Sequence, residues 1–375
     1  MNTPFGKNSR EEYFPKKVFS VVILLSSVVG AVMNSYAVWT LGVSTGVSCI
    51  IGIIYIVMGI SALMQNQIME KWRNKKLEML MGIYSCFFIY DFMILLLWWI
   101  FSALFMVSGK AQAMGVFVLD ILAVIIVALG YLHAKKIKYT VYSIPLGLRG
   151  NTCRIAMMSD IHLGVFVGEK HIQNIVDKVN RLEPDLVVIC GDIIDVNNHI
   201  LEDDEVLGRI SSLFCKIKAK KGVFAVLGNH DPKADNKKFA DFLRASNIQL
   251  LHNQVIQLED FCLAGRTDAS NNCRSSMESL AKEINSSLPV IVLDHNPSGI
   301  PEAVEFGADL VLSGHTHKGQ FFPVTYFTKL ANGKHYFYGH EQFGKTHAII
   351  SSGAGFFQLP VRIGTSNEIV DIHIS

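Results

Sequence analysis

Arg154-Ile155-Ala156-Met157-Met158-Ser159-Asp160-Ile161-His162 is a short apolar run that ends in a carboxylate and an imidazole. The same shape recurs downstream. Leu186–Cys190 runs into Gly191-Asp192-Ile193-Ile194-Asp195, and Val223–Leu227 into Gly228-Asn229-His230-Asp231. Val290–Leu293 runs into Asp294-His295, and Leu310–Leu312 into Gly314-His315-Thr316-His317. Short apolar, mostly β-branched runs bounded by Gly, Asp and Asn read as buried strands. Open α/β sheets present ligands at the carboxyl ends of such strands. His171–Arg181, Glu205–Lys218, Lys237–Ala245 and Ser275–Ile284 read as intervening helices. Phe321–Phe327, His335–Gly339, Ala348–Ser351 and Glu368–Ile374 read as further strands. From Tyr139 onward the chain is therefore expected to form an α/β or α+β layered domain.

The strand ends supply seven ligand-type groups: Asp160, His162, Asp192, Asn229, His295, His315 and His317. One tetrahedral zinc site takes three or four ligands, so seven exceed a single ion. They suit two divalent ions sharing a carboxylate, a pair that typically sits about 3.5–4 Å apart and acts on phosphate esters. The set holds no cysteine, which favours Mn, Fe, Zn, Co or Mg. Alternate residues of an extended chain point the same way. On that ground Asp160 is expected to aim with His162, and His315 with His317. Glycines before Asp192, Asn229 and His315 are expected to permit sharp turns beside the site.

In this order, Asp-x-His, Gly-Asp-x-x-Asp, Gly-Asn-His-Asp, a late His and Gly-His-x-His resemble the calcineurin-like metallophosphoesterase superfamily. Gly307-Ala308-Asp309-Leu310 with Gly314-His315-Thr316-His317 is similar to its membrane-anchored bacterial branch, which resembles transmembrane proteins with a metallophosphoesterase domain. The resemblance covers roughly Tyr139 to Ile374 and implies an αββα layered sandwich. It implies that Asp160, His162, Asp192 and His317 hold a first ion. Asp192 would bridge to a second, held by Asn229, His295 and His315. A hydroxide between the ions would attack phosphorus in line. His230 would sit over the phosphate as electrostatic stabiliser or acid, with Asp231 orienting it. Asp195 is expected to tighten the loop after Asp192, and Asp294 to face away from His295. Lys318 departs from the glycine common at that place; it reads as a rim lysine or a contact to substrate phosphate.

The rest of the chain differs in chemistry. Hydrophobic residues make up 50% of the sequence and charged residues only 18%. All 13 histidines lie between His133 and His373. Four apolar runs precede them: 18–41, 46–64, 79–107 and 113–132, the last two interrupted only by Asp91 and Asp120. Each is long enough to cross a bilayer core, which takes about 20 apolar residues. Residues 1–133 are thus expected to be a four-helix membrane region and 134–375 the metallophosphoesterase domain. Lys7, Arg10, Lys16, Lys17, Lys71, Arg73, Lys75, Lys76, Lys135, Lys136, Lys138 and Arg149 fall on one side of the spans, and only Lys110 on the other. By the positive-inside rule that side, with both termini and the polar domain, is cytoplasmic. Asp91 and Asp120 sit about 18–20 Å along antiparallel helices, so they are expected to face one another. They read as a neutral pair satisfied inside the bundle, or as part of an ion path or of a lipid head-group contact.

A membrane-anchored two-metal phosphoesterase is the reading these features favour. Within the resembling branch, lipid-linked pyrophosphates such as UDP-diacylglucosamine are one implied substrate class. Two other readings compete: a membrane sensor or scaffold that only binds, and a transporter with a regulatory hydrolase. A nucleic-acid partner is not expected, because the polar half carries no net positive charge. Disorder and a disulfide scaffold are excluded by composition, and the seven cysteines read as free thiols.

Overall fold

The computed structural model describes residues 16–64, 74–148, 152–195 and 199–375. Lys7, Arg10, Lys71, Arg73 and Arg149, which count toward the orientation, lie outside the described residues. The chain divides into two compact units, adjoining in sequence at His133 and Ala134.

The first unit contains four helices: α1 (Lys16–Thr40), α2 (Thr45–Leu63), α3 (Lys75–Leu104) and α4 (Gly109–Ala134). All four are long and apolar enough to cross a membrane. Small residues let α1 and α2 approach closely. A Cβ on Gly59 would run into Ser27, and one on Gly52 would lie 2.6 Å from the Ser35 hydroxyl. Close contact through such residues is how helices pack where lipid removes the hydrophobic drive. Ile53, Val57, Leu97, Ile121 and Leu129 remain exposed, as lipid-facing side chains should.

The second unit builds two six-stranded sheets. Its elements in chain order are β1 (Ile137–Ile144), β2 (Cys153–Met158), α5 (Glu169–Arg181), β3 (Leu186–Cys190), α6 (Asp204–Phe214), β4 (Val223–Val226), α7 (Lys237–Ala245), β5 (Gln249–Leu250), β6 (Gln254–Gln257) and β7 (Cys262–Gly265). There follow α8 (Met277–Leu280), β8 (Val290–Leu293), α9 (Ile300–Phe306), β9 (Leu310–Ser313), α10 (Val324–Asn332), β10 (Gly339–Phe343), β11 (Thr346–Ile350) and β12 (Asn367–Ile374). One sheet runs β1-β12-β2-β3-β4-β5, the other β10-β11-β9-β8-β7-β6. Strands β2 to β5 are mutually parallel, as are β7, β8, β9 and β11.

Strand alternation explains the layers. Ile155 and Met157 of β2 face the core between the sheets, with Val188, Leu293, Leu312 and Ile349. Ala156 and Met158 face the other way, into a core closed by α5, α6 and α7. Helix α5 buries Ile172, Ile175, Val176 and Val179, the stripe of one helical face. Val292, Val311 and Ala348 pack outward against Met277, Ile300 and Ala303, which completes an αββα sandwich.

Two expected strands are not strands. Phe321–Phe327 mostly enters α10, which starts after Pro323 and buries Thr328 and Asn332 while Phe322, Tyr326, Phe327 and Leu330 stay exposed. Its aromatic and β-branched composition suggested a strand, but a proline at the helix start and burial four residues apart decide for helix. His335–Gly339 opens with a tight turn over Lys334–Tyr336, and β10 begins only at Gly339. The Ser275–Ile284 helix shrinks to α8 and one further turn.

Candidate metal centre

The loops after β2, β3, β4, β8 and β9 bring all seven ligand-type side chains to one buried place. His162 Nε2 and His317 Nε2 stand 3.0 Å apart, and Asp160 Oδ1 is 3.4 Å from His317 Nε2. Asn229 Oδ1 lies 3.1 Å from His295 Nε2 and 2.9 Å from His315 Nδ1, which are themselves 3.3 Å apart. Between the two groups stands Asp192. Its Oδ2 is 3.6 Å from His162 Nε2 and 3.3 Å from His295 Nε2.

The backbone that achieves this is not extended. Asp160, His162, Asp192, His315 and His317 all have φ between 50° and 71°. Few residues other than glycine adopt that left-handed region, though Asp and His do so more readily than most, and such strain concentrates at functional sites. Asp160 and His162 therefore converge through a left-handed turn, not through strand alternation, and the same holds for His315 and His317. The glycines act chiefly by their lack of a side chain. A Cβ on Gly228 would collide with Asp192 Oδ1, and one on Gly314 with Asp160 Oδ2. Gly191 combines both needs, with φ of 80° and a Cβ position 2.5 Å from His295 Nδ1.

The donor set fits divalent ions. His295 donates Nδ1–H to the Cys190 carbonyl at 2.8 Å, which turns Nε2 toward Asn229 Oδ1. This second hydrogen bond is how proteins fix a metal-ligating imidazole. Asn229 Oδ1, His295 Nε2 and His315 Nδ1 crowd together at about 3 Å, an arrangement that calls for a cation or a proton among them. Burial drives His162 to about 3 and His315 to about 4, and pushes His317 well below its usual range. All three are neutral imidazoles at neutral pH, the state that binds metal. His295 goes the other way: burial opposes its charge, but the carboxylates of Asp192 and Asp160 outweigh it and hold the imidazolium. Burial likewise works against Asp192, whose carboxylate His295 nevertheless keeps well below the usual range. The proton on His295 thus marks a place where this site calls for positive charge.

The flanking residues take varied roles. The ring of His230 stacks on Phe357 with centroids 4.6 Å apart, and its centroid is 5.5 Å from that of His162. The carboxylate of Asp231, expected to orient His230, accepts from the amides of Ile193, Ile194 and Gly228 at 2.8–2.9 Å. It clamps the Asp192 loop to the Asn229 loop. Asp195 Oδ1 is 3.8 Å from His162 Nδ1. Asp294 turns away from His295 to pair with Arg274 and the buried Arg266. Lys318 places Nζ 4.0 Å over the Tyr338 ring.

Sequence reasoning missed three residues here. Buried Arg362 donates to the carbonyls of His317, Ser352 and Gly355 at 2.5–2.9 Å. Phe357 floors His230. Asp268 is buried, leaves Oδ2 without a hydrogen bond, and acts electrostatically on His295 and His315. Arg362 and Phe357 belong to no ligand pattern, and only folding brings them beneath the strand ends.

An αββα sandwich whose parallel strands deliver Asp, Asn and His to one buried centre defines a metallophosphoesterase domain. Residues 153–319 match the model of the calcineurin-like phosphoesterase family, so the chain contains a calcineurin-like metallophosphoesterase domain. It is 32% identical to a transmembrane protein with metallophosphoesterase domain from Danio rerio, over 71% of this chain and 64% of that protein. The Bos taurus protein of the same description is 30% identical over 69% and 61%. An uncharacterized metallophosphoesterase of Campylobacter jejuni is 34% identical over 59% of each chain. The chain thus spans about three-fifths of the length of these relatives.

Proposed function

We propose that this protein is a membrane-anchored, metal-dependent phosphoester hydrolase. The observation that carries the reading is Asp192 Oδ2, set between His162 and His295 and so able to serve two ligand groups at once. Asp160, His162, Asp192 and His317 would hold one divalent ion; Asp192, Asn229, His295 and His315 would hold the other. Ions of this kind neutralise phosphate charge and lower the pKa of water. The chain's own residues do the rest. His295, His162 and Asp192 are locked in place by Cys190, burial and the Asp231 clamp. His230, half-exposed over Phe357, faces the site and donates to the leaving oxygen or the phosphoryl oxygens.

The four spans restrict the enzyme to substrates in or beside a bilayer. Lipid-linked pyrophosphates of the UDP-diacylglucosamine type suit that restriction, met from the cytoplasmic side that the lysine asymmetry indicates. The test uses purified full-length protein, metal analysis and Mn-supplemented assays on a generic phosphodiester and on lipid-linked pyrophosphate. The expected result is bound metal, with alcohol and phosphomonoester released from the diester and nucleoside monophosphate and lipid phosphate from the pyrophosphate, all lost in Asp192→Asn. Absence of bound metal together with inactivity on every ester would overturn the proposal.

A further inference from the structure

The membrane helices carry a polar cluster that phosphoester hydrolysis does not use. Asn34 of α1, Tyr55 of α2, Asp91 of α3 and Asp120 of α4 meet inside the helical unit, so each helix contributes one side chain. Asp91 is 1% exposed, and no N–H or O–H donor reaches either of its carboxylate oxygens, whose neighbour is the Asp120 carboxyl. Asp120 Oδ1 and the Tyr84 hydroxyl are buried and unpartnered too. The packing is cut to admit these groups. A Cβ on Gly30 of α1 would lie 2.7 Å from the Tyr55 ring and 3.5 Å from Asp91 Oδ2. One turn further along α1, Asn34 Nδ2 donates to the Gly30 carbonyl at 3.1 Å.

Among the described residues of these helices, nothing basic lies close enough to balance the carboxylates. The basic residues nearest in sequence are Lys76 and Lys110, followed by His133. Even Lys110 is about 15 Å along the helix from Asp120 at 1.5 Å per residue. A lone carboxylate in hydrocarbon is costly, and two side by side compound the cost. The two carboxyl groups lie within hydrogen-bond reach of one another, so a proton or a cation must stand between them. The donors on offer are all oxygens, the set that hard cations take.

We propose that Asp91 and Asp120, with the Tyr55 hydroxyl, form a binding site for a small monovalent cation, sodium or a proton, within the membrane unit. Either ion supplies the missing positive charge; sodium would be held by the oxygens of two helices and the phenol of a third. Intramembrane carboxylates facing a bundle interior are characteristic of ion and proton sites.

The test uses the full chain in detergent or nanodiscs. Dicyclohexylcarbodiimide, which attacks protonated carboxyls in apolar surroundings, is applied in sodium or choline chloride across pH 6 to 9, and labelled peptides are read by mass spectrometry. Labelling at Asp91 or Asp120 that drops about tenfold in sodium identifies sodium. Labelling indifferent to sodium but falling as pH rises identifies the proton. For sodium, the melting temperature should also rise by about 4 °C over choline, an effect absent from Asp120→Asn. Two results overturn the proposal: no labelling of either residue with equal melting in both salts, or labelling that responds to neither sodium nor pH. Should Asp91→Asn fail to fold, wild-type labelling and Asp120→Asn still decide the question.

Discussion

His295 donates Nδ1–H to the carbonyl of Cys190 at 2.8 Å, across the gap between the two sheets. The bond ties the last residue of β3 to the loop after β8 and points Nε2 at Asn229 and Asp192. Replacing His295 with Ala should lower metal content per chain and reduce activity by at least about 100-fold. Metal analysis of the purified variant checks this, with melting temperature as control for folding.

Asp231→Asn separates two roles for that carboxylate. Because its oxygens take the amides of Ile193, Ile194 and Gly228, an Asn side chain brings an NH2 against at least one N–H. Stability should fall by about 2 kcal/mol and metal should be held more weakly. A group that served only to orient His230 would lower kcat while leaving melting temperature and metal content unchanged.

Gly314→Ala should impair the site without altering any ligand. The added methyl meets Asp160 Oδ2 and Ser159, so Asp160 must move away from His317. A displacement near 1 Å at a reacting centre costs about 100-fold in rate. Kinetics at saturating metal would show the loss in kcat more than in KM.

Stability at acid pH depends in part on Asp371. Arg154 donates to it through Nε and Nη2 at 2.8 and 2.7 Å, joining β2 to β12. Burial opposes ionisation of this carboxylate, yet the Arg154 bonds and then His373 hold it below its usual range. A depressed carboxylate contributes its stability above the unfolded value, about 3.9, and loses it as pH falls through the folded one. Asp371→Asn should cost about 2 kcal/mol at pH 7, with the gap to wild type closing below about pH 4. Melting curves of both proteins from pH 7 to pH 3 test the trend.

The ligands and the spans were legible because each rests on a local pattern. An apolar run that ends in Asp-x-His or Gly-His-x-His announces a strand and its cargo together. The convergence of Asp160 with His162 was anticipated for the wrong reason: positive φ at non-glycine residues leaves no mark in composition. The run 321–327 misled because aromatic and β-branched residues serve exposed helices as well as strands. Arg362 and Asp268 were invisible because their partners, His317 and His295, are distant in sequence and their roles arise only from burial.

The left-handed backbone at Asp160, His162, Asp192, His315 and His317 has a consequence for how this domain comes apart. Each such residue costs roughly 1–3 kcal/mol, and an unfolded chain is free of that cost. Divalent ions binding only the folded arrangement would offset it by mass action. A chelator should therefore act on the ligand loops before it acts on the sheets beneath them. Proteolytic nicks around 160–164 and 315–320 should appear while the core between the sheets still holds. In this sense the ions would be fasteners of the catalytic face as much as reagents within it.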